Sequence, residues 1–594
     1  MAGIPDRVIN LIKDMYKDST TSLKIKGKLG PQIRILNGVK QGCPLSPFLF
    51  NLVLDNLLNL LQQREFGVNI GGHKINSLAF ADDLVLVANS KYDMQALINI
   101  VSEFFDKLGM SLNPKKCESL RLARARHVKN MKLDTMTAFK LKNDIIRPCK
   151  FDKRIKYLGV QINHKGEIMI PRKYIEDTLA NIKNARVRPE QRLRILRDHF
   201  IPKLAYMSKL ALLPMSKLKL IDAIIRRWVF RVLHLPPSPI AFLYLPLRLG
   251  GLGLIQFSEM MPYRSYKSLI RMSTQGDEIE ALVASSLLGK NEKIFAAARV
   301  HQADVKGWLN LYHEGLLDKF IKTAWGLDFA PLAKSSKPLS WLTSGKIFKG
   351  GLFIDAIQLI SGNWPTRMAL HRGHTAARPD MIKCRRCGAN KETTAHILNE
   401  CPYSHNLIIK RHDKIVALLC EHLRRNPNLE VHPETLFMVD KEGFRPDICV
   451  RDKIIDKVFV IEVMVPYDHS TQHLNSRYNF KLNKYNSITF KSEVSKKLLG
   501  SAGRQNDVRV LPVIVGFRGA ITDITLKSLG AINMKHLAFK AQCSAISSSC
   551  FLFNQFRDCR VFLSRRPQRG GRRQVGGGQT SNTDGPAGRP PDDL

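Results

Sequence analysis

Acidic residues are scarce in this 594-residue chain: 51 Asp and Glu stand against 93 Lys and Arg, a formal net charge of +42. The shortage runs along the whole chain rather than sitting in one tail. Such a charge adds nothing to fold stability but attracts a polyanion, mainly through counterion release. A nucleic acid is the expected partner, with an anionic membrane surface as its rival. Long apolar runs are lacking too. No stretch reaches about 18 apolar residues, so no transmembrane helix is expected. The start, Met1-Ala2-Gly3-Ile4-Pro5-Asp6, has neither the charged nor the apolar region of a signal peptide. Paired cysteines are missing as well. The eleven cysteines are scattered, and only Cys384, Cys387 and Cys401 cluster, which argues against a disulfide framework and for a reducing compartment. There is no internal repeat.

What is present is enough apolar matter for sizeable cores, at 44% hydrophobic residues. At roughly 150 residues per domain, about three to five units are expected. Residues 1–120 read as mixed α/β. Helical spacing runs from Pro5 to Tyr16, strands run from Ser22 to Lys26 and from Gln32 to Leu36, and a strongly apolar helix runs from Pro47 to Gln62. A strand enters Ala79-Phe80, a buried strand covers Leu84 to Ala88, and an amphipathic helix covers Met94 to Leu108. From Arg186 to Leu212, Arg and Lys alternate with Leu and Ile, which suits a helix with one packed face and one face on phosphates or solvent. Residues 260–380 read as helices and loops, and 430–530 as strands with helices between them. From about Ser564 the composition turns to Gly, Arg, Pro and Gln, and disorder is expected.

Asp82 and Asp83 stand between the apolar runs Leu78-Ala79-Phe80 and Leu84-Val85-Leu86-Val87. Adjacent carboxylates on a tight turn repel each other, and a divalent cation removes that penalty. Mg²⁺ suits one or two carboxylates plus substrate phosphates. A pair of such ions ~4 Å apart would activate a primer 3′-hydroxyl and stabilise departing pyrophosphate. The flanking sequence is ordered: Gly38-Val39-Lys40-Gln41-Gly42-Cys43-Pro44-Leu45-Ser46-Pro47 upstream, then Gly109 to Cys117 with Lys116, then Lys156-Tyr157-Leu158-Gly159.

This series resembles the reverse transcriptases, in the variants of non-LTR retrotransposons. The resemblance implies that Gln41, Gly42, Pro44 and Lys116 shape the nucleotide and template pocket. It implies that Asp82 and Asp83 are catalytic metal ligands, and that Tyr157, Leu158 and Gly159 form the primer grip. The run Leu245 to Leu254 is similar to a segment beyond the thumb in the same enzymes. One feature departs from the family. A further aspartate is expected from an earlier palm strand, yet Asp6, Asp14 and Asp18 lie in or beside the first helix. The chain therefore reads as the C-terminal part of a longer polyprotein.

Cys384, Cys387, His396 and Cys401 follow C-x₂-C-x₈-H-x₄-C, which suits a closed, structural, tetrahedral Zn²⁺ site. His405 is a fifth nearby donor that such a site does not need. Gly388 permits the knuckle turn, and Arg385 and Arg386 are expected to meet phosphate or stacked bases. Further on, Arg445-Pro446-Asp447 opens a strand, and fourteen residues separate Asp447 from Glu462 on the next one. Pairing the two strands would bring these carboxylates together around one divalent ion that activates water against a phosphodiester. Knuckle, Arg-Pro-Asp and glutamate in this order resemble the restriction-like endonuclease of site-specific non-LTR retrotransposons that insert into ribosomal RNA genes. The family pattern would put lysine at 464, where Met464 stands; Lys481 and Lys484 are the substitutes, on a following helix.

The expected architecture is multidomain α/β and α. It comprises a partial right-hand polymerase palm (1–165), a helical thumb (166–260), a helical linker (261–380), a CCHC zinc knuckle (381–410), a restriction-like α/β endonuclease core (411–540) and a C-terminal extension (541–594). The expected cofactors are Mg²⁺ or Mn²⁺ at both active sites and structural Zn²⁺. The expected partners are template RNA, target DNA and dNTPs, with self-association on DNA and action in the nucleus. The expected activity is to nick target DNA and copy RNA from the exposed 3′ end. The alternative is a polymerase-inactive piece that acts only as an endonuclease or a nucleic-acid-binding module.

Overall fold

The structure, a computed structural model, describes residues 4–35, 38–40, 42–124, 131–151, 153–236, 240–299, 305–335, 339–344, 347–371, 379–500 and 505–557. Gln41 and the tail expected to be disordered lie outside the described residues.

The N-terminal part is a series of small sheets on two helices. Helix Ser46–Gln62 starts with proline in its first turn, where a missing N–H costs nothing. Leu54, Leu57 and Leu61 recur at helical spacing and are buried against Leu97, Val101 and Phe105 of helix Lys91–Lys107. Ser90 caps that second helix by accepting from the Asp93 amide. Leu84 and Leu86 of the hairpin Ser77–Phe80/Asp83–Leu86 pack on the same cluster. The other face of the hairpin is open, with Leu78 50% and Phe80 64% exposed. Among the described residues no third strand pairs with this hairpin. Helix Asp6–Tyr16 buries none of its residues.

From Val160 to Phe556 one contiguous apolar core runs through every later segment. Two smaller clusters lie beside it, one around Phe437, Tyr485 and Phe490 and one around Leu269, Ala284 and Phe295. The expected boundaries at 260, 380, 410 and 540 fall inside the helices Phe257–Gln275, Pro379–Ile382, His405–Leu423 and Ala538–Arg557. The last of these buries Ala541, Ala545, Ile546, Leu552, Phe553 and Phe556, so residues 541–557 belong to the core and not to an extension. The basic run from Arg186 is not one α-helix. It forms Pro189–Ile195, a π-turn at Leu196–Phe200 and Ile201–Ala211, with Leu193, Leu196, Phe200 and Leu204 buried. Its arginines are partly spent on neighbours: Arg194 and Arg197 share Asp198, at 3.4 and 2.8 Å.

The C-terminal half centres on a four-stranded sheet. Its spatial order is Leu429–Pro433, Ile448–Asp452, Lys457–Met464, Val508–Ile514. The first three strands are antiparallel, and the last pair is parallel. A parallel pair needs a crossover, supplied here by the helices Thr471–Tyr485 and Ile488–Leu499. The strand Lys457–Met464 is buried along nearly its whole length, as its continuous apolar run requires. No described helix is long and apolar enough to cross a membrane.

Candidate active sites and metal centre

Asp82 and Asp83 occupy the tip of the N-terminal hairpin, where Phe80 pairs with Asp83 across a two-residue turn. Ala81 holds φ 51°, in the left-handed region that costs a residue with a Cβ roughly 1–2 kcal/mol. Both aspartates are exposed. The turn Leu158-Gly159 takes φ 45° and 81°, the two positive angles of a type I′ hairpin, and Tyr157 pairs with Val160. The Tyr206 hydroxyl donates to the Leu158 carbonyl at 3.0 Å. Tyr157 is close enough to Asp83 for burial and the Asp83 charge together to raise its phenol pKa. The Tyr157–Gly159 turn and the aspartate turn thus lie near each other. Gly42 takes φ 87°, with open space where a Cβ would sit, while Pro44 and Lys116 are exposed. The loop that carries Gly42 is anchored to the first helix. The Lys40 ammonium donates to the Met15 carbonyl at 3.2 Å, and Ser46 Oγ lies 2.6 Å from the Lys40 carbonyl and 3.1 Å from the Tyr16 hydroxyl.

The four knuckle residues converge, with their donor atoms all within 4.8 Å of one another. Cys384 Sγ and Cys401 Sγ are 3.8 Å apart, and Cys387 Sγ lies 3.3 Å from His396 Nε2. A Zn–S bond of about 2.3 Å implies a tetrahedral S···S edge of about 3.8 Å, so the donor set fits one Zn²⁺. His396 Nδ1 is buried without a hydrogen-bond partner, with the Glu400 carboxylate 3.7 Å away. Gly388 at φ 72° makes the expected turn, with its amide on the Cys384 carbonyl at 2.9 Å. Arg385 and Arg386 do not face outward as expected. Arg385 is locked in a buried ion pair with Glu392, Nε to Oε2 2.8 Å. Arg386 lies over the Tyr403 ring at 4.2 Å and donates to the Phe556 carbonyl at 2.9 Å. The knuckle is packed against the C-terminal helix, so these guanidiniums are structural.

The second carboxylate pair sits where the strands Ile448–Asp452 and Lys457–Met464 part. Their last paired residues are Ile448 and Ile461, so Asp447 and Glu462 come next, side by side. The Asp447 amide donates to Glu462 Oε1 at 2.9 Å, and the Val463 amide donates to Asp447 Oδ2 at 2.7 Å. Lys481 Nζ donates to Glu462 Oε2 at 2.7 Å. Glu462 is 1% exposed, and burial followed by the Asp447 charge raises its pKa, with Lys481 opposing. Lys484 does not join the site: it is exposed, and its ammonium lies over the neighbouring Tyr485 ring at 5.0 Å. The sequence reading missed His412, on helix His405–Leu423, whose Nε2 is 3.3 Å from Asp447 Oδ2. Nothing in the local pattern distinguishes this histidine from others on amphipathic helices. Burial lowers its pKa, but the hydrogen bonds and charges of Asp447 and Asp413 outweigh that and push it up to about 9.

The segment that carries the aspartate hairpin and the glycine turn beside it places the chain in the class of the reverse transcriptases. A family model described as reverse transcriptase (RNA-dependent DNA polymerase) matches residues 2–162. Beyond that segment, the chain is 31% identical over 456 residues to a Pol polyprotein of a type-1 R2 retrotransposable element from Popillia japonica. That match covers 75% of this chain and 72% of the relative. The chain belongs to this family, the Pol polyproteins of non-LTR retrotransposons. A type-1 R2 relative from Nasonia vitripennis is 29% identical over 513 residues, and the type-2 R2DM protein of Drosophila melanogaster 28% over 540. The chain spans about half the length of each of these two, 47% and 49%.

Proposed function

We propose that this chain is a reverse transcriptase and endonuclease of target-primed type: it nicks one DNA strand and extends the exposed 3′-hydroxyl along template RNA, consuming dNTPs. The observation that supports the nicking half is the set Asp447, Glu462 and Lys481, gathered on one sheet in the same chain as a reverse-transcriptase domain. At each site a divalent ion, Mg²⁺ or Mn²⁺, supplies Lewis acidity when bound. Asp82 and Asp83 would hold it at the palm, and Asp447 and Glu462 at the second site. Lys481 is placed to keep Glu462 ionised and to face the scissile phosphate from the crossover helix. Zn²⁺ at the knuckle is structural, because its four donors leave no open position. Action in the nucleus and self-association on DNA belong to the same proposal.

The test is plasmid nicking and RNA-templated primer extension in Mg²⁺. Asp447→Ala should abolish nicking, and Asp82→Ala should abolish extension alone. Nicking that persists in Asp447→Ala sinks the second-site assignment. One observation favours a nuclease-only or binding-only reading of this chain: the Asp82–Asp83 hairpin has no third strand among the described residues, and Asp6, Asp14 and Asp18 lie in or beside the first helix. Nicking without extension would support the nuclease-only reading. A DNA gel shift with neither activity would support the binding module.

A further inference from the structure

Away from the three sites, one aromatic side chain stands in the open. Phe151 is 71% exposed, and its ring lies against the His164 imidazole, with centroids 4.8 Å apart and planes tilted by 39°. His164 belongs to the tight turn 163–166. There the Gly166 amide donates to the Asn163 carbonyl at 3.0 Å, and Asn163 Oδ1 accepts from the Lys165 amide at 3.0 Å and the Glu167 amide at 2.9 Å. The imidazole is therefore carried on a hydrogen-bonded turn. At its exposure the phenyl ring has one face on His164 and the opposite face open to solvent.

A single exposed apolar residue is ordinary on a protein surface. Phe151 differs in its company. Lys150, Lys156 and Lys165 are exposed around the ring pair in sequence, and Lys153 is paired with Glu118 at 2.8 Å. Glu167, the acidic residue beside the turn, takes the Asn163 amide group at 2.9 Å. An open aromatic face among lysines suits a nucleic-acid strand, because a base stacks on the ring while ammonium groups meet phosphates. The place in the fold says which part of a strand. The hairpin Ile155–Tyr157/Val160–Ile162 has its turn, Leu158-Gly159, near Asp83, and the Tyr206 hydroxyl holds that turn at the Leu158 carbonyl. His164 follows the opposite end. A strand of three residues spans ~10 Å, which is about three nucleotide rises of ~3.4 Å. A strand that ends at the aspartate turn and follows the hairpin thus reaches Phe151 a few nucleotides behind its 3′ end. Stacking on a protein ring requires a base face that is not already covered, as it is inside a hybrid duplex. A 3′ end freshly exposed by a nick has not yet paired with RNA, and an aromatic ring holds such a strand whatever its sequence.

We propose that Phe151, backed by His164, stacks an unpaired base of the DNA strand to be extended, a few nucleotides behind its 3′-hydroxyl, with Lys150 and Lys165 on the adjoining phosphates; this rests on the extension activity proposed above and deepens it. The platform reads no sequence. It keeps an end that has no complement close to the aspartate turn until the template is in place.

The test uses the full chain without dNTPs and single-stranded DNA oligonucleotides that carry 2-aminopurine at one position, stepped through the nucleotides nearest the 3′ end. Stacking on an aromatic ring quenches this base. At one position a few nucleotides from the end, emission should be lower with the parent than with Phe151→Ala. Phe151→Ala should also weaken binding about 10-fold by fluorescence anisotropy at fixed salt, and Phe151→Trp should keep both the quenching and the affinity. Lys165→Gln should leave the quenching in place and lower the log–log salt slope by about 0.7. Phe151 is exposed, so its replacement should leave the melting temperature unchanged. Equal emission and equal affinity for parent and Phe151→Ala overturn the stacking role. An equal loss on a paired DNA–RNA hybrid overturns the preference for an unpaired strand, and an equal loss on a single-stranded RNA end overturns the assignment to DNA. These readouts involve no polymerisation. Quenching that depends on Phe151 in a chain that extends no primer upholds the stacking site and sinks the extension reading alone.

Discussion

The chain carries two carboxylate pairs prepared in opposite ways. Asp82 and Asp83 project from the tip of a two-stranded hairpin whose outer face is open. Asp447 and Glu462 stand at the parting of two strands in a four-stranded buried sheet. Backbone amides hold one oxygen of each, Lys481 takes the other oxygen of Glu462, and His412 reaches Asp447. The second pair carries its own electrostatic compensation, while the first stands exposed at its turn. Preorganised groups lose little when the reaction begins, which is the usual source of catalytic advantage. The two sites should therefore respond differently to the same kinds of change.

The largest difference should come from the carboxylates themselves. A metal site is worth several kcal/mol of transition-state stabilisation, and about 1.4 kcal/mol is a factor of ten. Asp447→Ala or Glu462→Ala should thus lower the nicking rate by on the order of 10³-fold. The same substitutions should leave any extension by the palm within about 3-fold. A matching fall in extension would mean that the two sites are coupled through the shared body.

Zinc removal should divide them next. Cys401 lies directly before the turn Pro402–Ser404 that leads into helix His405–Leu423, the helix that carries His412. A structural zinc held by the knuckle would contribute of order 10 kcal/mol of binding free energy to folding. Chelation, or Cys387→Ser, should release one zinc per chain by mass spectrometry and lower the melting temperature by ~10 °C or more. Nicking should disappear with it. The aspartate hairpin packs on a separate apolar cluster, so hydrogen exchange in residues 46–107 should be unchanged.

Lys481 and Lys484 sharpen the test of the proposed nuclease site. Lys481→Met removes the cation on Glu462 and should cost nicking about 10²-fold. Lys484→Met should cost less than about 3-fold, because its ammonium lies on Tyr485. Equal losses would place the phosphate contact elsewhere on the helix.

The sequence could not separate these two lysines. Residues three apart share a helix face and differ by only ~4.5 Å along the axis. What was legible were groups that local geometry brings together. The knuckle donors lie on one short segment, and Asp447 and Glu462 are joined by one hairpin whose length is in the sequence. His412 was not legible, because its partner lies 35 residues away on another element and only tertiary packing aligns them. Arg385 and Arg386 were misread for a related reason. Their partners, Glu392, Tyr403 and the Phe556 carbonyl, are contacts of the folded body, and a basic pair beside a zinc site gives no hint of them. The continuous core from Val160 to Phe556 was also hidden, since composition marks segments but not which apolar faces meet.

The smallest effect compares backbone turns. Gly42 and Gly388 both take positive φ, 87° and 72°, and at both a Cβ would meet nothing within 4 Å. Alanine at either position therefore costs conformational energy alone, roughly 1–2 kcal/mol, with no clash to relieve. The strain should register differently. Gly388 lies in a knuckle whose Cys384 and Cys401 belong to the continuous core, so Gly388→Ala should lower the global melting temperature by a few degrees. Gly42 lies on an exposed loop held by a few contacts to the first helix, which buries nothing of its own. Strain there can be released by local opening without unfolding the body. Gly42→Ala should leave the melting temperature within about a degree and raise hydrogen exchange only around residues 38–46. Equal shifts in melting temperature for the two variants would show that the palm turn is cooperative with the core, and the contrast between a self-supported site and an open one would fail at the level of stability.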